Sequence, residues 1–190
     1  MKIEILEDNS KAFRFKLSGA SNNYANALRR MATSHVKTFA IDKITFYENS
    51  SAMFDEYIAH RIGLIPILTP DGYSDKEEIL FTLDATGPKT VYSRDFVVSD
   101  KEVKVANENI PVMKLANEQR LRLDGKAVLR DGTSHAKFQP GLITFEQTGE
   151  GEFEFYVETF GQMPPKQIIN KAIESIKEEM KELEKEVKKL

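Results

Sequence analysis

The chain has 190 residues, 41% of them hydrophobic, with 27 basic and 30 acidic side chains and a net charge of −3. A chain of this length buries roughly 70% of the surface its unfolded form exposes, enough for one domain or two small ones. It contains no cysteine, which excludes disulfides, thiolate zinc sites and iron–sulfur clusters held by this chain and fits a reducing, cytoplasmic setting. The charge balance argues against a free-standing nucleic-acid binder, which carries a basic excess. No apolar run approaches the roughly 18 residues of a membrane span, and the opening MKIEILEDNSKAFRF lacks the apolar core of a signal peptide.

The first elements read as a hairpin. Residues 2–6 and 12–17 alternate apolar and polar, which puts Phe13, Phe15 and Leu17 on one strand face, and the intervening DNS supplies turn chemistry. A helix follows, capped by Ser21 or Asn22. Its apolar stripe is Tyr24, Leu28, Met31 and Val36, and Asn26, Arg30, Thr33 and Lys37 fall on the other face. Residues 39–47 (FAIDKITFY) suit a strand, in which Asp42 is the one acid. A second helix is expected from about Ser51 to Ile62, capped by Ser50 or Ser51 and ended by Gly63 and Pro66. Residues 64–68 then run extended and 70–76 form a loop. Between 79 and about 130, ILFTLD, DFVVSD, EVKVAN and RLRLDG are short strand-like runs, and residues 142–147 and 152–160 flank TGEG as another hairpin.

The last segment is the most regular. Pro164 and Pro165 open a helix, because proline is tolerated in the first turn. Beyond them Ile169, Ile173, Ile176, Met180, Leu183, Val187 and Leu190 recur at alternating steps of four and three, an unbroken a/d seam. Lysines at 177, 181, 185 and 189 and glutamates at 174, 178, 182 and 186 occupy solvated columns. A helix of a globular core usually has a wider apolar face. The narrow seam therefore predicts a helix that packs partly on its own sheet and partly on a partner.

Few residues suggest chemistry. The stretch DGTSHAKFQPG (131–141) gathers Ser134, His135, Lys137 and Gln139 between glycines. Adjacent Ser and His cannot form a nucleophile–base pair without partners elsewhere. Only three histidines exist, His35, His60 and His135, and none shares a metal-ligand spacing with another. No phosphate-binding glycine motif occurs. Arg29 and Arg30 read as a solvated helix face, a phosphate-binding pair or an interface anchor.

Several segments, in order, carry a resemblance: NALRR (26–30), AHRIGLIPI (59–67), FTLDATGPKTVYSRD (81–95), DGTSHAKFQP (131–140) and FYVETFGQMPP (155–165) before a long helix. Together they resemble the D polypeptide of archaeal RNA polymerase, the counterpart of the bacterial α-subunit amino-terminal domain and of the third-largest subunit of eukaryotic polymerase II. The resemblance implies an α+β fold of two domains. A discontinuous dimerisation domain, antiparallel sheet plus helices, would span 1–48 and 142–190, with a mainly-β domain inserted at 49–141.

It also implies a non-catalytic assembly role without cofactor or metal. The chain would pair with small subunit L and form the platform for the catalytic chains. Its other partners would be the second-largest, β-like subunit and small subunits N and P, with no direct sequence-specific nucleic-acid contact and no membrane contact. Carried onto this sequence, Asn26, Arg29, Arg30, His135, Lys137, Phe138 and Gln139 match positions facing a large subunit. Leu28, Met31, Ile169, Ile173, Ile176, Met180, Leu183 and Val187 are the expected dimerisation residues. Many members carry a cysteine-rich iron–sulfur insertion and eukaryotic ones a cysteine zinc loop. This chain lacks both, and Phe138 stands where the family usually has Trp. The alternatives are a homodimeric scaffold outside transcription and a stand-alone enzyme using His135 and Lys137.

Overall fold

The computed structural model describes residues 1–189. Its elements in order are β1 (Lys2–Asp8), β2 (Ala12–Ser18), α1 (Asn22–Ser34), β3 (Thr38–Asn49), α2 (Asp55–Gly63), β4 (Glu78–Thr86), β5 (Lys89–Tyr92), β6 (Val97–Val98), β7 (Pro111–Leu115), β8 (Arg120–Arg130), β9 (Gly141–Gly149), β10 (Glu152–Thr159) and α3 (Pro165–Val187). They form an α+β fold with antiparallel pairing throughout. None of the described helices is long and apolar enough to cross a membrane.

The chain divides into two compact units, one of residues 1–37 and 131–190, the other of residues 38–130. The second is thus inserted into the first. The boundaries expected from the sequence, 48/49 and 141/142, lie eleven residues later at each end. The reason lies in β3, whose register with β8 runs from Thr38↔Arg130 to Asn49↔Leu121. Hydrogen bonding along its full length assigns this strand to the inserted unit.

In the first unit four strands pair in the order β1-β2-β10-β9. Phe13, Phe15 and Leu17 alternate inward from β2 as the period-2 pattern predicts, opposite Val157, Phe155 and Phe153 of β10. Phe15 and Phe155 stack with centroids 4.9 Å apart, and Phe145 of β9 lies 5.2 Å from Phe155. Both helices pack on this face. Ala25, Leu28, Met31 and Ala32 of α1 and Ile168, Ile169 and Ala172 of α3 complete the core. Fully burying one large apolar side chain contributes about 1.5–3 kcal/mol, so this aromatic and aliphatic layer holds the unit together. Helix α1 begins as expected, with Ser21 Oγ accepting from the Tyr24 N–H at 3.2 Å. Tyr24 and Val36 depart from the predicted stripe. Tyr24 is exposed, and Val36 is buried from beyond the helix end.

In the second unit the main sheet runs β3-β8-β4-β6, with a separate ribbon β5-β7. Ile58 and Ile62 of α2 pack among Phe39, Ile41, Phe81, Leu83, Leu121 and Leu123. Arg61 fastens α2 to β7 through Nε–H to the Val112 carbonyl at 2.8 Å and Nη2–H to the Pro111 carbonyl at 2.7 Å. Helix α2 starts at Asp55, four residues later than expected. Ser51 donates to Asn49 Oδ1 at 2.6 Å and Asn49 donates to the Met53 carbonyl, a side-chain turn that competes with helix initiation. EVKVAN forms only the bridge Val105↔Ile67. DFVVSD yields the two-residue β6, while β5 and β7 were not anticipated.

Candidate subunit interface

The sequence-predicted residues fall into groups with different surroundings. On α1, Asn26 and Arg30 are exposed and Arg29 is half-buried. Arg29 Nη2–H donates to Asn26 Oδ1 at 3.1 Å, one turn away. Thr33 Oγ–H donates to the Arg29 carbonyl at 2.9 Å. The pair therefore presents an oriented, cationic helix face. Leu28 and Met31, expected at a dimer contact, are buried within the unit's own core. They fall on the inward stripe of α1 with Ala25 and Ala32, so α3 and the sheet cover them.

The polar loop 131–140 is folded by its own side chains. Asp131 Oδ1 accepts from the Thr133 N–H at 3.0 Å and from its hydroxyl, and the Ser134 N–H donates to the Asp131 carbonyl at 3.1 Å. His135 Nδ1 accepts from the Lys137 N–H at 3.0 Å and caps a short 3₁₀ turn over Ala136–Phe138. Phe138 is buried, with the Lys137 ammonium 5.2 Å from its ring centroid. The Gln139 carbonyl accepts from Gln162 Nε2–H at 3.1 Å. A Cβ on Gly132 would meet Gln139 Cγ at 2.8 Å and the Thr33 carbonyl at 3.0 Å, so the glycine lets the loop lie against the end of α1. The loop thus sets His135 on the surface beside a buried aromatic anchor. Among the described residues, no three His, Asp or Glu side chains converge as metal ligands would.

The seam on α3 divides. Ile169 is 6% exposed and Ile173 and Ile176 are partly buried, all against the unit's core. Beyond them Met180, Leu183 and Val187 are 59%, 58% and 59% exposed. Leu190 lies outside the described residues. Near the division, Ser175 Oγ–H donates to the Lys171 carbonyl at 3.0 Å, and Glu179 comes within 4.0 Å of His35 Nε2 at the end of α1.

Two exposed apolar groups were missed. Ile3 and Ile5 of β1 pair with Leu17 and Phe15 and so share the helix-bearing face, yet they are 62% and 52% exposed. The alternation KIEILED carried that signal. In the inserted unit Phe54, Tyr57 and Leu64 lie exposed around α2, with the Phe54 and Tyr57 rings 6.4 Å apart. Their spacing opposite Ile58 and Ile62 marks an outward apolar stripe.

Electrostatic shifts sit away from these groups. In the inserted unit, partial burial and the hydrogen bond to Asp100 push Tyr73 up to about 12. Asp100 is held low by the N–H groups of Val103 and Glu102. Glu78 is lowered by Lys126 and Asp84 by Arg120. In the first unit Glu154 raises Arg14. Each shift follows from burial, an ion pair or a hydrogen-bond partner.

A split α+β domain carries an exposed helical seam. Residues 14–180 match the family described as the RNA polymerase Rpb3/Rpb11 dimerisation domain, and the chain belongs to that family. It is 44% identical over 165 residues to the DNA-directed RNA polymerase subunit Rpo3 of Methanocaldococcus jannaschii, covering 87% of this chain and 84% of that protein. It is 34% identical over an alignment of 240 residues to Rpo3 of Natronomonas pharaonis, covering 98% and 97%. Against Rpo3 of Pyrococcus furiosus the identity is 43% over 153 residues, covering 77% of this chain and 59% of the longer relative.

Proposed function

We propose that this chain is a non-catalytic assembly subunit of an archaeal multisubunit DNA-directed RNA polymerase, working in the cytoplasm. Its work is binding. The exposed half of the α3 seam pairs with the small subunit L, and the heterodimer is the platform on which the large catalytic subunits assemble. Asn26, Arg29 and Arg30, with His135, Lys137 and Gln139, form the face read by the second-largest, β-like subunit, and Phe138 anchors the loop beneath them. The discontinuous domain is the dimerisation domain, and subunits N and P join the assembly through other surfaces. Phosphoryl transfer and its metal ions belong to the large chains.

The observation that carries this reading is the split seam. Three large apolar residues at a/d spacing stand in solvent on a helix anchored by a buried first half. Apolar a/d residues are stable only against another helix or a core, and the family and the named relatives supply the class of partner. The test is to purify the tagged chain gently from its own cells and weigh its companions by native mass spectrometry. Several large partners, with template-dependent RNA synthesis in the eluate, are expected. A lone chain or a simple homodimer would reject the proposal.

A further inference from the structure

Resting on that reading, a further question is why the exposed seam takes a different chain instead of a second copy of itself. The charges beside it bear on this. With Met180 and Val187 at a and Ile176 and Leu183 at d, the flanking e positions are Lys177 and Glu184, and the flanking g positions are Glu179 and Glu186. All four are exposed.

Self-pairing places a carboxylate against Glu179 in either direction. In a parallel pair g faces the e position of the next heptad, so Glu179 meets Glu184 of the second copy. In an antiparallel pair g faces g, so Glu179 meets Glu186, and only the Lys177–Glu184 contact on the other edge is attractive. The intrahelical partners are unequal. Glu184 is 2.6 Å from Lys188 Nζ and Glu186 is 2.5 Å from Lys189 Nζ. Around Glu179 the facing group from α1 is His35, at 4.0 Å. Glu179 is therefore the least compensated carboxylate beside the seam.

We propose that Glu179, supported by Glu184 and Glu186, makes the exposed seam reject a second copy of this chain and accept a helix with Lys or Arg facing these positions. The apolar a/d residues supply the adhesion and the flanking charges choose the partner, as in coiled coils generally.

One substitution separates the terms. Glu179→Lys meets Glu184 in the parallel pair and Glu186 in the antiparallel pair, so it turns repulsion into attraction in both. The purified full-length chain and this variant are compared by sedimentation over a concentration series. The variant is expected to self-associate about three- to tenfold more tightly, with Glu179→Gln in between, and to capture the co-expressed small subunit correspondingly less well. The differences are expected to fade in 1 M salt, where the Debye length is about 3 Å. His35→Gln is expected to self-associate as the unaltered chain does, since the effect does not run through that contact. Self-association of Glu179→Lys equal to the unaltered chain's, or a salt-independent change, would overturn the inference. Leu183→Asp keeps the outcomes apart. If it abolishes small-subunit capture while Glu179→Lys changes nothing, charge selection alone fails. If it leaves capture intact, the seam is no interface and both readings fall.

Discussion

From Pro165 to Ile176, α3 lies against the aromatic face of its own sheet. From Lys177 to Val187 the same repeat continues with its apolar residues in water. Nothing in the four-and-three spacing marks the change. What differs is the neighbour. The first half has β2, β10 and α1 beside it, whereas the second extends past His35, where α1 has ended. An apolar seam records that a face is to be buried and leaves open which chain buries it.

The difference between the halves can be broken most severely from the buried side. Phe155→Ala removes a ring stacked on Phe15 and is expected to cost about 3–5 kcal/mol, seen as a large loss of thermal stability. Leu183→Ala in the exposed half is expected to move the isolated chain by less than about 0.5 kcal/mol. An equal loss at both positions would mean that the second half is also packed. The next largest effect belongs to the interface. Arg30→Ala, on the exposed α1 face, is expected to leave the heterodimer intact. Its capture of the large β-like partner is expected to weaken about tenfold, on the order of 1.4 kcal/mol. Unchanged capture in a quantitative pull-down would remove Arg30 from that role.

The smallest effect is one of pH and concerns the inserted unit, which sharpens the comparison between cores. Glu78, Asp84 and Asp100 have folded-state values below their ordinary ones. Their contribution is present above about pH 4 and is lost as pH falls through the depressed values. Tyr73 is raised to about 12, so its contribution is present below about pH 10 and is lost as pH rises toward 12. The melting temperature is therefore expected to be flat between about pH 5 and 9 and to fall on both sides. In Tyr73→Phe the alkaline fall is expected to be shallower, since Tyr47 and Tyr156, which are also raised, still lose their contribution there. An alkaline limb identical to that of the unaltered chain would show that Tyr73 does not contribute.

Much of the architecture was legible where a period is long or a cap is explicit. Ser21 capped α1, Phe13, Phe15 and Leu17 alternated into the core, and Pro165 opened α3. Boundaries set by distant pairing were not legible. β3 joined the inserted unit because β8, some eighty residues away, hydrogen-bonds to all of it. The start of α2 was hidden by Asn49, whose amide organises Ser51 and Met53 into a turn. At the candidate interface the sequence marked the polar face of α1 and the whole α3 seam, yet gave no means of separating inward Leu28 and Met31 from outward residues. Ile3 and Ile5 went unnoticed because a half-buried strand and an uncovered one share the same alternation. The loop at 131–140 looked like chemistry because it is polar. Asp131, Thr133 and His135 are engaged in its own turns, with His135 Nδ1 accepting from the chain two residues on.

Under the proposed function, the exposed half of α3 holds the small partner subunit. The most direct measurement is native mass spectrometry of the chain co-expressed with that subunit, alongside the double variant Met180→Asp with Leu183→Asp. Both positions are exposed in the isolated chain, so the variant is expected to fold and melt as the unaltered chain does. A one-to-one heterodimer for the unaltered chain and two separate monomers for the variant is the expected result. A heterodimer of undiminished abundance in the variant would contradict the account and place the partner elsewhere on the molecule.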